Sequence, residues 1–321
     1  MRARLSWQTA VVHIALSLWA SALPATEALE RGKSNFDEGD YVAAIVAYTE
    51  AISIDPKRVE AYLGRAGAYE RHAEFGRAIA DYTNAIRLDP KRAEAYIRRG
   101  TLYENEGRYD KAIADCTEAV RVAPKNVRAY NARGTANAIM GKIDNAIADF
   151  SEAIIIDPEN AESHNNRGWG FREKRDLDKA IADHSEAIRL DPKGVLGYDG
   201  RASVYMMKGE YDKAIADLGE IVWIDPKSSM AYINRGTCYK EKGEKAKAKA
   251  DYTLAIAVLT EAIRLNPEYA SEYYDRAMCY EEIGEMAKAK ADFESAITTL
   301  SRAIQLSSGY ATAYFERGYA Y

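Results

Sequence analysis

The chain has 321 residues, of which 47% are hydrophobic and 29% charged, and its formal net charge at pH 7 is −5. This composition is that of folded globular material, and the acidic balance argues against a general nucleic-acid or anionic-membrane binder. Three cysteines, four histidines and eight prolines are too few for a disulfide scaffold, a histidine-rich metal protein or a collagen.

The first 22 residues have the layout of a secretory signal peptide. A basic start, MRAR, precedes an apolar run, TAVVHIALSLWASAL, and the small residues Ala20 and Ala22 mark a cleavage site. This apolar run is shorter than the roughly 20 residues that span a bilayer. We therefore predict cleavage after Ala22 and an exported, periplasmic or extracellular protein. The alternative is a protein anchored in the membrane by residues 1–22.

From residue 25 onward the chain repeats itself, mostly every 34 residues. The phrase AIADYTNAIRLDP, which ends at Pro90, returns in modified form, and seven of the eight prolines close a repeat. Proline ends a helix because it lacks an N–H donor and its ring clashes with the preceding turn. With these prolines at position 32, and one longer step before Pro267, repeats start at residues 25, 59, 93, 127, 161, 195, 229 and 270, and a lone first helix covers 311–321.

Each repeat predicts two helices joined by a short turn. Gly or Ala at position 8 and Ala at position 20 lie on the same helical stripes as aromatic residues at positions 4, 11 and 24. Glycine at position 15, as in Gly39 and Gly107, marks the turn between the helices. One hairpin cannot bury its apolar stripe alone, so neighbouring hairpins are expected to stack around a continuous core.

This pattern resembles the tetratricopeptide repeat, which is a 34-residue helix–turn–helix unit with a small residue at position 8, Ala at positions 20 and 27, and Pro at position 32. The resemblance covers residues 25–321. It implies an all-α fold, a right-handed α-solenoid of stacked hairpins. It also implies a non-enzymatic scaffold or adaptor that binds a peptide segment of a partner protein in its concave groove, with no cofactor and no nucleic acid. The alternatives are a membrane-anchored adaptor and a self-assembling structural protein.

Two charged positions depart from the family pattern. Position 7 is Arg in every repeat, where the family usually has Leu, and position 23 is Asp in repeats two to eight. Both positions flank the buried stripe, where an isolated charge is costly but an Arg–Asp pair satisfies itself. We therefore predict a ladder of Arg–Asp contacts, within or between repeats, that fixes their register. The alternative, a basic stripe for an anionic ligand, is disfavoured because Asp matches Arg almost one for one.

Repeats seven and eight are longer than the others, with 41 residues each. Their second helices carry a duplicated heptad, so the apolar stripe keeps its facing while each helix grows by about 10 Å. The insertion is either tolerated passively or forms a ledge for a partner, and self-association of the chain through these helices is possible.

The histidines and cysteines point to the core rather than to chemistry. His164 and His184 occupy positions 4 and 24 of one repeat, where other repeats mostly have Tyr or Phe, and no further metal ligands accompany them. Cys116 also takes position 24, while Cys238 and Cys279 take position 10 of adjacent repeats, which lie too far apart for a disulfide. We predict no metal site and no catalytic residues.

In the family, the groove is lined by first-helix positions 2, 5, 6, 9, 12 and 13. In the early repeats these positions give a mixed acidic surface: Glu60, Leu63, Glu70, Glu94, Ile97 and Glu104. The middle repeats combine amides, which bond an extended peptide backbone, with Trp and Met, which bury apolar side chains of varied shape. We predict the partner-binding residues there: Asn131, Asn165, Asn166, Trp169, Arg172, Met206, Met207, Ile233 and Asn234. The alternative is that Trp169 and the two methionines only pack against neighbouring helices.

Overall fold

The computed structural model describes residues 24–306, with side chains through residue 302. The predicted signal peptide at 1–22 and the lone first helix at 311–321 lie outside the described residues and stay predictions. The chain divides into two compact units, Met1–Glu159 and Asn160–Tyr321, which we call the N-terminal and C-terminal units.

Residues 24–306 form sixteen helices and contain no strand, which confirms the all-α fold class. The N-terminal unit contains α1 (24–37), α2 (Tyr41–Ile54), α3 (Val59–Arg71), α4 (Phe75–Leu88), α5 (Ala93–Asn105), α6 (Tyr109–Val122), α7 (Val127–Ile139) and α8 (Ile143–Ile156). The C-terminal unit contains α9 (Ala161–Glu173), α10 (Leu177–Leu190), α11 (Val195–Lys208), α12 (Tyr211–Ile224), α13 (Ser229–Glu241), α14 (Lys245–Leu265), α15 (Ala270–Glu282) and α16 (Met286–Leu306).

Within each unit the helices pack as a stack of hairpins. Each odd-numbered helix pairs with the even-numbered helix that follows it, and the second helix of one hairpin packs on the first helix of the next, as α4 does on α5 and α12 on α13. The interior is made of small alanines, such as Ala78 and Ala85, around one large position-24 side chain per hairpin, such as Tyr82. The fold is thus an all-α solenoid of helical hairpins.

Asp–Pro pairs set the connection between repeats. Asp89 caps the end of α4, and its Oδ1 accepts a hydrogen bond from Lys91 N at 3.1 Å. Pro90 follows and cannot continue the helix because it has no N–H to donate. The same arrangement recurs at Asp55, Asp157, Asp191 and Asp225.

The turns inside the hairpins require a left-handed backbone at position 15. Six of these residues are glycines with φ between 69° and 86°, as the sequence predicts. Ala73 and Arg175 occupy the same position with φ of 60° and 62°. Because a side chain in this region costs roughly 1 kcal/mol or more, the turn geometry is imposed by helix packing and not by glycine alone.

The predicted Arg–Asp ladder is present in repeats two to eight. Each position-7 guanidinium donates two or more hydrogen bonds to the position-23 carboxylate of its own repeat, at 2.6–3.1 Å. The pairs are Arg65–Asp81, Arg99–Asp115, Arg133–Asp149, Arg167–Asp183, Arg201–Asp217, Arg235–Asp251 and Arg276–Asp292. These hydrogen bonds raise the arginine pKa, as at Arg65 and Arg99.

The same arginines also connect consecutive repeats. Arg65 Nη1 donates to Thr49 Oγ1 at 3.0 Å, and Arg99 Nη1 donates to Thr83 Oγ1 at 2.8 Å. Both hydroxyls belong to position 25 of the preceding repeat, and Ser185 plays the same part for Arg201. One guanidinium therefore closes its own hairpin and fixes its register on the hairpin before it.

The lengthened helices of repeats seven and eight are confirmed. Helices α14 and α16 have 21 residues, whereas the second helices of repeats one to six have 14. The added heptad of α14 keeps the buried stripe, because Leu259 and Ile263 lie beneath the surface in register with Ala255. Thr260, in this heptad, accepts the hydrogen bond from Arg276 Nη1 at 3.0 Å that position 25 accepts elsewhere.

Candidate functional site

The predicted partner-binding residues divide between the two units. Asn131 lies on α7 of the N-terminal unit, and the other eight lie on α9, α11 and α13 of the C-terminal unit. All nine lie on first helices, but the exposed fractions of their side chains differ greatly, so they do not form one uniform surface.

The two amides at position 5 are buried. Asn131 is 5% exposed and Asn165 is 4% exposed. Asn165 Oδ1 lies 3.0 Å from His184 Nδ1, so this amide already has a partner inside the hairpin. Asn165 also lines a small cleft of about 130 Å³ beside Leu196, which is 60% exposed. These amides therefore lie beneath the first-helix surface, whereas Asn166 and Asn234 are half-buried.

Trp169 and Arg172 form a stacked pair on α9. The Arg172 Cζ atom lies 4.1 Å from the centroid of the Trp169 ring, and the ring meets the His184 imidazole edge-on at 5.6 Å. Arg172 Nη1 also donates to Ser203 Oγ on α11 at 3.0 Å. Nearby, burial raises the pKa of Asp199 while Arg172 opposes the shift. The stack is a rigid, half-buried platform with an aromatic edge and a cation.

The apolar members of the predicted set have different environments. Met206 packs against the core around Leu218, and Ile233 packs against the core around Tyr252. Met207, one residue further along α11, is 40% exposed. Of the two methionines, Met206 therefore follows the packing alternative, and Met207 is available at the surface.

The two histidines of repeat five are core residues, as predicted. His184 is 0% exposed and His164 is 8% exposed. His164 Nδ1 lies 3.6 Å from Asp183 Oδ1, whose carboxylate is already bonded to Arg167. Within residues 24–302, no group of three or more His, Cys, Asp or Glu side chains is placed to hold a metal ion. The three cysteines are buried and unbonded, and burial raises the pKa of Cys116 to about 12.

A concave feature outside the predicted set lies in the N-terminal unit. It is a cleft of about 670 Å³ between α1, α2 and α3, bounded at its far side by α4 and α5. Its lining consists of aromatic rings, two glycines and charged groups: Phe36, Asp37, Tyr41, Tyr48, Leu63, Gly64, Gly67, Glu70, Arg71, Tyr82, Glu94 and Arg98. We call it the N-terminal cleft.

The cations that line the N-terminal cleft are engaged within the chain. Arg71 Nε donates to Tyr41 Oη at 3.0 Å, and Arg98 pairs with Glu70 at 3.7 Å and Glu94 at 3.5 Å. Tyr82 Oη donates to Glu70, and burial raises the pKa of Tyr82 well above its ordinary value. On this side of the cleft, Tyr82 of α4 and Arg98 of α5 are therefore joined through Glu70 of α3 in one network of hydrogen bonds and ion pairs.

Sequence reasoning placed Leu63, Glu70 and Glu94 on the groove but missed the depth of the cleft. The available signal was glycine at groove positions 6 and 9 of repeat two, Gly64 and Gly67. Without a side chain at Gly64, the Tyr48 ring packs against the backbone of α3, and the face at Gly67 stays open. A Cβ added at Gly67 would meet only Phe36, at 3.7 Å. In most other repeats a larger side chain occupies at least one of these positions.

No helix within the described residues is both long enough and apolar enough to cross a bilayer.

Comparisons with known proteins agree with the fold. Models described as tetratricopeptide or TPR repeats match residues 32–72, 93–126, 138–168 and 240–297. No curated protein sequence matches the chain.

Solved structures with the same fold include a tetratricopeptide repeat protein from Parabacteroides merdae ATCC 43184, with a TM-score of 0.57 and 19% identity over 82% of this chain and 98% of that one. Pseudomonas aeruginosa PilF has a TM-score of 0.57 and 17% identity over 66% of this chain and 96% of its own. The Cut9–Hcn1 hetero-tetramer of the APC/C gives 0.53 and 17% identity, covering 87% and 52%. At these identities the likeness concerns the fold alone. The family models, which together match about half of the chain in separate segments, show that the chain contains tetratricopeptide repeats.

Proposed function

We propose that the protein is a non-enzymatic scaffold or adaptor that binds a peptide segment of a partner protein on the first-helix faces of its repeats. The observation that carries this proposal is the N-terminal cleft of about 670 Å³, lined by first-helix positions 5, 6, 9, 12 and 13 of repeat two. A concave site with aromatic walls and a few fixed polar groups is the usual form of a binding site.

The C-terminal unit supplies a second stretch of the same kind of surface. The Trp169–Arg172 stack offers a ring edge and a cation, and exposed Met207 offers an adaptable apolar contact. Asn166 and Asn234 supply half-buried amides for a peptide backbone. Asn165, Met206 and Ile233 support these contacts from beneath the surface.

Site-specific photo-crosslinking tests the proposal. A benzophenone side chain at Leu63 or Met207, both on first helices, is expected to crosslink one partner polypeptide. The matched controls carry it at Glu152 or Glu220, which are exposed at position 26 of second helices in the same two units. Mass spectrometry should map the crosslinks to one segment, and a synthetic peptide of that segment should compete. Equal labelling at control and groove positions would refute the proposal.

Trp169→Ala provides an independent check within the C-terminal unit. Truncation removes the ring on which Arg172 stacks, so the yield of the Met207 crosslink should fall several-fold while that of the Leu63 crosslink is unchanged. An unchanged Met207 crosslink would remove Trp169 from the binding surface.

We further propose that the protein is exported after removal of residues 1–22. The support is the layout of the N-terminal sequence, with a basic start, an apolar run and Ala20 and Ala22 at the site. The intact mass of protein recovered from the exported fraction should correspond to a chain that begins at Leu23. A full-length mass in the membrane fraction would favour the anchored alternative.

A specific observation also favours self-association through the long helices. Helix α14 exposes Leu254 by 47% and Leu265 by 70%, and Tyr269 in the following connection is 55% exposed. Large apolar side chains exposed together on one face are typical of protein contacts. We propose a contact between copies of the chain at this ledge as the second candidate function.

A further inference from the structure

The hydroxyl of Tyr48 at the floor of the N-terminal cleft has a different environment from its counterparts. Three repeats place a tyrosine at position 24, namely Tyr48, Tyr82 and Tyr252. Tyr82 Oη bonds to Glu70 at position 12, and Tyr252 Oη bonds to Thr237 at position 9. In repeat one these positions are Phe36 and Lys33, and no described residue forms a hydrogen bond with Tyr48 Oη.

Tyr48 is only 3% exposed, yet it lines the cleft. The Tyr48 ring is buried while the residue lines the cleft, so its hydroxyl can accept a hydrogen bond from a ligand atom that enters there. The backbone of Gly64 packs directly against the Tyr48 ring, Gly67 leaves open space nearby, and the Phe36 and Tyr41 rings, 5.5 Å apart, form one wall.

The side chains that line the cleft carry a net negative charge, with the three carboxylates of Asp37, Glu70 and Glu94 against two guanidiniums. Arg71 and Arg98 are engaged by Tyr41 and by Glu70 and Glu94, whereas Asp37 forms no ion pair with a described residue. Burial and the nearby carboxylates both change the pKa of Tyr48. Burial first, and then the carboxylates of Asp37 and Glu30, raise the pKa of Tyr48 to about 12.

The aromatic wall already accepts a cation. The Arg71 Cζ atom lies 5.4 Å from the centroid of the Tyr41 ring. Ring faces attract guanidinium and ammonium groups, more strongly where water is partly excluded.

From this geometry we infer that the N-terminal cleft binds a lysine or arginine side chain of the partner segment. The aliphatic stem lies over Gly67 beside Phe36, and the cation donates to Tyr48 Oη and to the carboxylate of Asp37. This inference rests on the proposed function and adds to it the chemistry of the segment. It sets the binding specificity of the N-terminal unit for basic segments.

Four capped nonapeptides that differ only in the central residue test the inference by calorimetry on the full chain. The central residue is Lys, Arg, norleucine or Glu in an otherwise identical alanine and glycine sequence. The Lys and Arg peptides should bind at least tenfold more tightly than the norleucine peptide, and the Glu peptide should bind most weakly. Norleucine has nearly the shape of lysine without the charge, so equal or tighter binding of norleucine overturns the inference.

Two variants test the named contacts. Tyr48→Phe removes only the hydroxyl, and Asp37→Asn removes only the charge. Each should weaken the Lys peptide about fivefold or more and leave the norleucine peptide unchanged. Unchanged binding of the Lys peptide to both variants overturns the assignment of the site.

Filling the cleft gives a test that does not depend on loss of stability. Gly67→Leu should abolish binding of the Lys peptide while the melting temperature stays the same or rises, because the added Cβ meets only ordinary contacts. Gly76→Leu on α4, where a Cβ would meet nothing within 4 Å, is the matched control and should bind normally. Normal binding by Gly67→Leu overturns the inference.

The two proposals fail in distinguishable ways. Crosslinks from Leu63 and Met207 to one partner segment, without any preference for the Lys peptide, would refute the lysine or arginine site and leave the scaffold function intact. Absence of groove-specific crosslinks in both units would remove the scaffold function itself.

Discussion

At position 23 of seven repeats, an aspartate that is 4–7% exposed accepts a forked pair of hydrogen bonds from an arginine. Charges buried to this degree are stable only when paired, and loss of one partner leaves the other uncompensated. The guanidinium is less buried than the carboxylate, with 21% of the Arg133 side chain exposed beside Asp149. The cost of breaking a pair should therefore be below that of a fully buried one.

Asp149→Ala tests this pair. The change removes the acceptor for Arg133 and for Asn137 Nδ2, which donates to Asp149 Oδ2 at 3.1 Å. We expect a loss of about 2–3 kcal/mol in the free energy of unfolding, measured by urea denaturation. Glu152→Ala, an exposed acidic residue on the same helix, is the control and should change stability by less than about 0.5 kcal/mol. Equal stability of the two variants would contradict the structural role of the ladder.

His184 is a buried titratable side chain whose charge the interior does not accommodate. Burial lowers the pKa of His184 to about 4, with Asp183 opposing the shift and Arg172 and Arg201 adding to it. His184 Nε2 is buried and has no hydrogen-bond partner among the described residues. In the unfolded chain the His184 imidazole therefore binds a proton below about pH 6.5, whereas in the folded chain it binds one only when the pH falls to about 4.

The stability that His184 contributes is present above about pH 6.5 and is lost as the pH falls from there to about 4. His184→Tyr should remove this dependence, because tyrosine does not titrate between about pH 4 and pH 7. The larger ring should fit, because glycines lie on both sides of it, Gly168 and Gly200, as Gly32 and Gly64 do beside Tyr48. Between pH 7 and pH 4.5 the wild type should lose up to roughly 2 kcal/mol more than the variant. Urea titrations at both pH values measure this difference. An identical loss in the two proteins would show that His184 does not titrate in this range.

At the scale of the helix, the sequence predicted most of what the structure shows. Helix number, helix lengths and the Arg–Asp contacts follow from periodicity, because each repeat solves the same packing problem with the same residue types. Position 5 is the exception. A helical wheel places Ile97, Asn131 and Asn165 on the outer stripe, yet all three are at most 5% exposed. The sequence pattern of one helix does not show which of its outer residues are buried by neighbouring helices.

The link between consecutive repeats is missing at one place in the C-terminal unit. Gly219 occupies position 25 before Arg235, so it offers no hydroxyl of the kind with which Thr49 and Thr83 accept a hydrogen bond from the arginine of the following repeat. A Cβ at Gly219 would lie 3.9 Å from Arg235 Nη1, which leaves space for a serine side chain.

Gly219→Ser should therefore stabilise the protein. We expect a gain of about 1 kcal/mol or slightly more, from better helix propensity and one hydrogen bond to the guanidinium. Gly219→Ala gains the propensity alone and separates the two contributions. Thermal and urea unfolding of both variants measure the gains, and a serine variant less stable than the alanine variant would contradict the hydrogen bond.

At the scale of the whole molecule, prediction was weaker for the site than for the fold. The N-terminal cleft depends on the coincidence of Gly64, Gly67 and the Phe36 ring, which come from different repeats. The periodicity of the sequence does not predict this combination of residues, because the cleft forms where the repeats differ from one another. The sequence therefore places the binding surface in the middle repeats by residue type, while the N-terminal cleft lies in the first three.

The duplicated heptad of α14 allows the self-association candidate to be tested without disturbing the repeat. Deleting residues 257–263 converts YTLAIAVLTEAIRLNP into YTLAIRLNP, which closely matches YTNAIRLDP of repeat two. The helix shortens by about 10 Å and the buried stripe keeps its facing, because seven residues are almost two turns. The variant should stay folded, with unchanged helical content per residue by circular dichroism.

If the ledge of α14 joins two copies of the chain, wild type should form oligomers whose mass rises with concentration in light scattering. The deletion brings Leu254 and Leu265 from eleven residues apart to four, which removes the extended apolar face, so the variant should remain monomeric at the same concentrations. Leu265→Ser, which removes one exposed apolar side chain from a full-length α14, should weaken association at least tenfold, because burying such a side chain contributes about 1.5–3 kcal/mol. Oligomers that persist in both variants would place the contact elsewhere on the chain, and a monomeric wild type would exclude the contact altogether.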